Sequence, residues 1–422
     1  MSISAVTECV ALDVYSKSLT ERKAVMKRTI RVALAALSSI IVCALGMWII
    51  LDRATAQAQS TRPVPTFEVD RSWPKIPNGW VLGEAASVAV DAQDHVWLLH
   101  RPATVPVEQK AKAAPPVVEL DANGNFVQAW GGPGRGYEWP EEEHGIFVDY
   151  KGNVWIGAAS QHGHDNQVLK FRRNGKFLLQ IGHSGQSKGN ADTENLNRPA
   201  DAFVYPKTNE VFIADGYVNR RVIVFDADTG AFKRMWGAFG NQPTDLKTRR
   251  GSETQGGAPL LNTTDRGPEQ FNTVHAARVS NDGLVYVSDR GNRRVQVFTI
   301  EGKFLKQVFI GPECVAPACG NGHTAASSAF SADAEQRYLY VANRSQGKVM
   351  IFDRKTLDLL GSFGQLGEAP GQFKVIHHMS SDSKGNIYTT EISHPDEVQI
   401  GEECCRRYQK FVLKGMSPLQ SR

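Results

Sequence analysis

The chain has only 6 cysteines in 422 residues, and none stand in the C-x-x-C spacing of a thiolate zinc site. Net charge is also small: 48 basic against 44 acidic residues leave +4, with both signs interspersed. No stripe of one sign marks a nucleic-acid partner, so a polyanionic ligand is excluded. Long apolar runs are scarce. The body past residue 64 has none of membrane-spanning length, and no helical segment separates its strand-like runs. What is abundant is turn material, 38 glycines and 20 prolines beside a 41% hydrophobic fraction, the composition of a globular, turn-rich chain.

The exception lies at the N-terminus. Residues 32–51 are nearly unbroken apolar sequence, preceded by Arg22, Lys23, Lys27, Arg28 and Arg31. That pattern is a signal peptide or a membrane anchor with its positive side in the cytoplasm. Ala56-Gln57-Ala58 suits cleavage, whereas a run of about 20 apolar residues is also long enough to span a bilayer. We therefore read 1–25 as an upstream extension, 26–58 as signal or anchor helix, and 64–416 as the exported body. Its location would be periplasmic, extracellular or on the outer membrane face, touching membrane only through an uncleaved segment. Export permits disulfides. Cys314 and Cys319 are spaced to bridge locally, while Cys404 and Cys405, being adjacent, would bond each other only under strain.

Within the body, HGIFVDYKGNVWI, HAARVSNDGLVYV and HHMSSDSKGNIYT align on one apolar alternation, one turn and one second strand. The unit continues with a third strand (VLKF, VIVF, VQVF, VMIF) and a fourth ending in aromatic-Gly (FVQAWG, FLLQIG, FKRMWG, LLGSFG). Second strands centre on Trp97, Trp155, Phe212, Tyr286, Tyr340 and Tyr388, giving six units. Four-stranded units with no helix between them predict an all-β, six-bladed β-propeller. Phe67 and Phe411 fall in stretches expected to share the closing blade. Residues 103–116 and 241–270 read as surface insertions.

His144, His275 and His377 each lie eight residues ahead of the turn glycine, in units two, four and six. On a six-fold ring these are about 120° apart, so three imidazoles converge on the axis, the layout of a catalytic zinc site. The same count places Ala86, Asp201, and Ser328 or Ala329 at the other ring positions. Asp201 is expected to support a ligand histidine from the second shell of residues. His378 should point away from its neighbour, because side chains alternate along a strand. His162 and His164 read as a solvated loop. Asp215, Asn219, Asp289 and Asn292 read as scaffold that ties loops together. Tyr217 and Arg290 are the bulky members of those loops, and Arg101 occupies the register of Arg290 in unit one. Arginines there would hold a carboxylate in a bidentate fork, and a tyrosine flanked by cations can act as a base.

These repeats resemble NHL-type propeller repeats, and the constellation resembles the peptidyl-α-hydroxyglycine α-amidating lyase family. The likeness is carried by LLHRP, EHGIFVDYKGN, RPADAF with IADGYVN, TVHAARVSNDG with SDRGNRRVQ, and HHMSSDSKGN, across most of residues 80–395. It implies zinc on His144, His275 and His377, with Tyr217 as catalytic tyrosine and Arg101 and Arg290 as active-site arginines. The implied substrate is a peptide ending in a carboxylate, cleaved at a carbinolamide C–N bond to glyoxylate and an amide. The family's aspartate after the third histidine, a calcium ligand, is His378 here, which argues against calcium. Val375 replaces a methionine and Val218 a cysteine of the family pattern, and no hydroxylating domain is present. Two other readings stand beside the lyase: a metal propeller turned to another small substrate, and a non-catalytic NHL propeller that binds on its rim.

Overall fold

The computed structural model describes residues 26–28, 47, 63–160, 164–245, 263–315, 323–392 and 406–418. Most of the expected signal or anchor segment, His162, Cys319, Cys404, Cys405 and most of the 241–270 insertion lie outside them. No helix among the described residues is long and apolar enough to cross a membrane. Val64–Ser417 is one compact unit; Met1–Pro63 with Pro418–Arg422 is grouped separately. Cys314 is disulfide-bonded, to a partner outside the described residues.

Six four-stranded antiparallel sheets make up the body. Their innermost strands are Glu84–Val90, Glu143–Val148, Asp201–Tyr205, Val274–Val279, Ala325–Phe330 and Ile376–Ser381, which define blades one to six. Each inner strand touches the next around the ring, and the last touches the first. The protein is a six-bladed β-propeller. In blade six the order runs Ile376–Ser381, Ile387–Glu391, Tyr408–Pro418 and finally Pro63–Val69, so the N-terminal strand closes the ring beside the C-terminal one. Asp70 N–H donates to Lys410 carbonyl at 2.8 Å just past that pairing.

The repeated turn has a local cause. Asp149 accepts the N–H groups of Lys151 and Asn153, each at 2.9 Å, and the Trp155 indole at 2.9 Å. One carboxylate thereby orders the turn and anchors the aromatic of the next strand. Asp91 does the same for Gln93, His95 and Trp97, and Asp382 for Lys384, Asn386 and Tyr388. Those aromatics fill the wedges between blades: Trp97 packs between blades one and two, Trp155 between two and three, Tyr388 between six and one. The apolar core is thus divided among blade interfaces, leaving the axis to polar groups.

Two of the expected interpretations are settled by hydrogen bonds. Asp215 accepts from Asn197 N–H, Asn219 and Arg221, and Asp289 from Asn272 N–H, Asn292 and Arg294. These buried networks tie loops to strands and are scaffold. The 103–116 insertion is exposed over residues 107–112 and carries two 3-10 turns, Pro102–Thr104 and Val107–Lys112.

His100 fastens that insertion. Gly83 N–H donates to its Nδ1 at 3.0 Å, and its Nε2 faces the Pro115 carbonyl at 3.0 Å. The ring is therefore the neutral Nε2–H tautomer. Burial depresses its pKa from 6.5 to about 4. A depressed value means the stabilisation is fully present above pH 6.5 and is lost as pH falls toward 4. That amounts to about 3 kcal/mol across the window. We expect urea midpoints of the wild type to fall between pH 7 and 4.5 more steeply than those of His100→Asn. Parallel curves would remove the argument.

Candidate metal centre

At the axis, His144, His275, His377 and His378 are all buried. Ring centroids of the first three lie 4.6–5.0 Å apart, and each of the four offers one ligand atom within 4.8 Å of the others. The three expected histidines share one geometry. Their Nδ1 atoms face backbone carbonyls of the next blade: His144 to Ala200 at 2.8 Å, His275 to Ala326 at 2.6 Å, His377 to Ala86 at 2.6 Å. A carbonyl only accepts, so each Nδ1 carries the proton and each Nε2 presents a lone pair. Orientation of a ligand imidazole by a backbone carbonyl is the usual outer support of a metal site.

The Nε2 atoms of His144 and His275 approach the Tyr217 hydroxyl at 2.8 and 3.1 Å. One hydroxyl proton cannot satisfy two lone pairs. Among the described residues the Nε2 of His377 and both ring nitrogens of His378 have no hydrogen-bond partner. A buried unmet polar group costs about 1–3 kcal/mol. Lone pairs without donors, grouped on an axis, fit a divalent cation with affinity for imidazole. Burial first, then arginines and, for His144, His275 and His377, neighbouring imidazoles, hold all four pKa values well below 6.5. They are neutral, the state a metal ligand requires.

Tyr217 owes its place to the glycine before it. A Cβ on Gly216 would lie 2.1–2.2 Å from the Val274 backbone, so only glycine lets this loop press against blade four. The Tyr217 ring is flanked by Arg198 and Arg290, at 5.1 and 5.2 Å from its centroid, and Arg290 Nη1 donates to its hydroxyl at 3.3 Å. Arg101 is also at the site, but two carboxylates match its charge. It donates from Nε to the Glu143 carbonyl at 2.9 Å, from Nη1 to Glu84 at 2.8 Å, and pairs through Nη2 with Glu142 at 2.9 Å.

Three expectations need correction. Ala200, rather than Asp201, supports His144; Asp201 accepts instead from Arg278 and from Ala202 N–H. The blade-three turn is one residue longer, closing from Asn209 N–H to Tyr205 carbonyl where blade two closes from Gly152 to Asp149. Counting back eight from the turn therefore stops one residue short. A longer turn in blade five likewise moves the ring position from Ser328 or Ala329 to Ala326. The third correction is His378, which joins the cluster. Pairing in blade six passes from Ile376↔Glu391 to Met379↔Thr389, three residues against two. That β-bulge breaks alternation and turns both histidines to the axis.

The sequence reading also missed Arg198 and Arg344. Arg344 is buried in blade five, follows its second strand as Arg290 follows that of blade four, and helps depress the His377 pKa. That shared register was a signal available in the sequence. His164 is exposed.

A six-bladed propeller with buried imidazoles and arginine-flanked tyrosine at its centre is the class that fold and site define. Residues 271–298, the inner three strands of blade four, match the NHL repeat model. The chain is 24% identical over 334 residues to human NHL repeat-containing protein 3, covering 77% of this chain and 81% of that one. The mouse protein of that name is matched over 57% of its length. Rat peptidylglycine alpha-amidating monooxygenase is 27% identical over 264 residues, 57% of this chain but 23% of the rat protein. Peptidyl-alpha-hydroxyglycine alpha-amidating lyase 2 of Drosophila melanogaster is 28% identical over 183 residues, 39% of this chain and 41% of that one. The resemblance to NHL-repeat propellers and to the amidating lyases stands on these matches.

Proposed function

We propose that this chain is a zinc-dependent lyase that cleaves a carbinolamide C–N bond in a small, carboxylate-bearing, peptide-like substrate. The observation that carries the reading is the set of three Nδ1-anchored imidazoles whose Nε2 lone pairs face inward beside the Tyr217 hydroxyl. Similarity to proteins named amidating lyase supports the reaction class. His144, His275 and His377 would hold the ion. When bound, zinc supplies Lewis acidity that makes a nearby hydroxyl easier to deprotonate.

The rest falls to the chain's own groups. Arg290, in reach of the tyrosine oxygen, orients the substrate carboxylate beside it. Arg101, already matched by Glu84 and Glu142, shapes that wall and positions rather than binds. Tyr217, acting as the phenolate, takes the hydroxyl proton. As the C–O bond gains double-bond character the C–N bond breaks, and Tyr217 returns that proton to the departing amide nitrogen. The products balance as glyoxylate and a primary amide. Neighbouring imidazoles stay neutral and do not compete for the proton at working pH.

The test is to incubate the zinc-loaded chain with a peptide ending in α-hydroxyglycine and measure glyoxylate and amidated peptide. Equal amounts of both are expected. A loaded chain that releases neither would favour another small substrate. A chain that takes up no ion would favour a rim-binding module.

A further inference from the structure

We propose that His378 is a metal ligand in its own right, so that four imidazoles rather than three hold the ion. The inference rests on the metal-centre reading above and departs from its three-histidine form. His378 is buried, and its ligand atom falls within the same 4.8 Å limit as the other three. Its ring centroid lies 4.6 Å from His377, 4.9 Å from His275 and 5.3 Å from His144. Its main chain is pinned, with the N–H donating to Thr390 Oγ1 at 3.0 Å.

Filling space does not explain the residue. The positions following the ring residue in the other blades are Ser87, Gly145, Asp201, Ala276 and Ser327. Only blade six puts an imidazole there. Asp201, the one charged counterpart, is occupied by Arg278. A ring needed only for packing would be cheaper as a hydrocarbon, because both nitrogens of His378 go without a hydrogen-bond partner among the described residues. A shared cation satisfies one of them and accounts for a histidine at a bulge that aims it inward.

The consequence concerns the ion. Four imidazoles fill a tetrahedral shell, so a centre that keeps an open position needs an ion comfortable with five or six donors. Imidazole sites suit zinc, copper, iron and nickel, and zinc itself expands to five.

The test strips the full chain with a chelator, reloads it with one equivalent of Co2+ or Zn2+, and counts imidazole ligands by X-ray absorption. Affinity is measured by competition with a chromogenic chelator. Four imidazoles are expected in the wild type and three in His378→Ala and His378→Phe, with affinity at least about 10-fold weaker in both. Three imidazoles in an ion-bound wild type would overturn this proposal and leave the three-histidine centre intact. Unchanged ligand number and affinity in the variants would do the same. A wild type that binds neither ion would overturn the metal reading itself. The wild-type count decides even if a variant fails to fold.

Discussion

Replacing His275 by alanine is expected to leave the ion weakly held, so that after dialysis against a chelator metal falls from about one ion per chain to a small fraction, since His275 is both a ligand and a neighbour of Tyr217. Lyase activity should fall to background with it. His275 is the choice because its Nε2 faces Tyr217 and its Nδ1 is fixed by the Ala326 carbonyl, so it serves metal and tyrosine at once. Losing the Nδ1 bond leaves a buried carbonyl unmet, at about 1–3 kcal/mol. Circular dichroism and a melting curve separate that modest loss from failure to fold. Elemental analysis of the folded variant gives the answer. Full metal occupancy in folded His275→Ala would mean that His275 does not hold the ion.

Tyr217→Phe is expected to lower kcat by about 10²–10⁴, the usual contribution of a positioned acid–base group. Metal content should stay near that of the wild type. The substitution removes only the oxygen between the Nε2 atoms of His144 and His275, and keeps the ring between Arg198 and Arg290. Because the ring stays, KM should move far less than kcat. Kinetics on metal-loaded protein, with zinc measured in the same samples, checks both statements. An unaffected kcat would transfer the proton to another group. Lost zinc would make Tyr217 part of the ion's support.

Much of this site could be read from one sequence because propeller repeats write spatial equivalence into linear spacing. In blades two, four and six the turns close at the same length, so counting back eight residues finds the same ring position, and it is histidine each time. In blades three and five the turns are longer, and the same count misplaced Ala200 and Ala326. For Arg101, nothing local announced that Glu84 and Glu142 match its charge.

Composition and pattern alone determined that the chain folds as six antiparallel four-stranded units with a shared closing blade, and which three histidines stand in register. Those are short-range properties: alternation, turn chemistry and repeat period act over a dozen residues. Tertiary structure decided which side chains meet. His378 enters the cluster because strand pairing inserts a bulge opposite Thr390, and a bulge is set by the partner strand rather than by its own residues. Arg198 and Tyr217 stack because Gly216 lets blade three press on blade four. Closure of the ring brings residues hundreds apart within one coordination distance, and no local pattern encodes that distance.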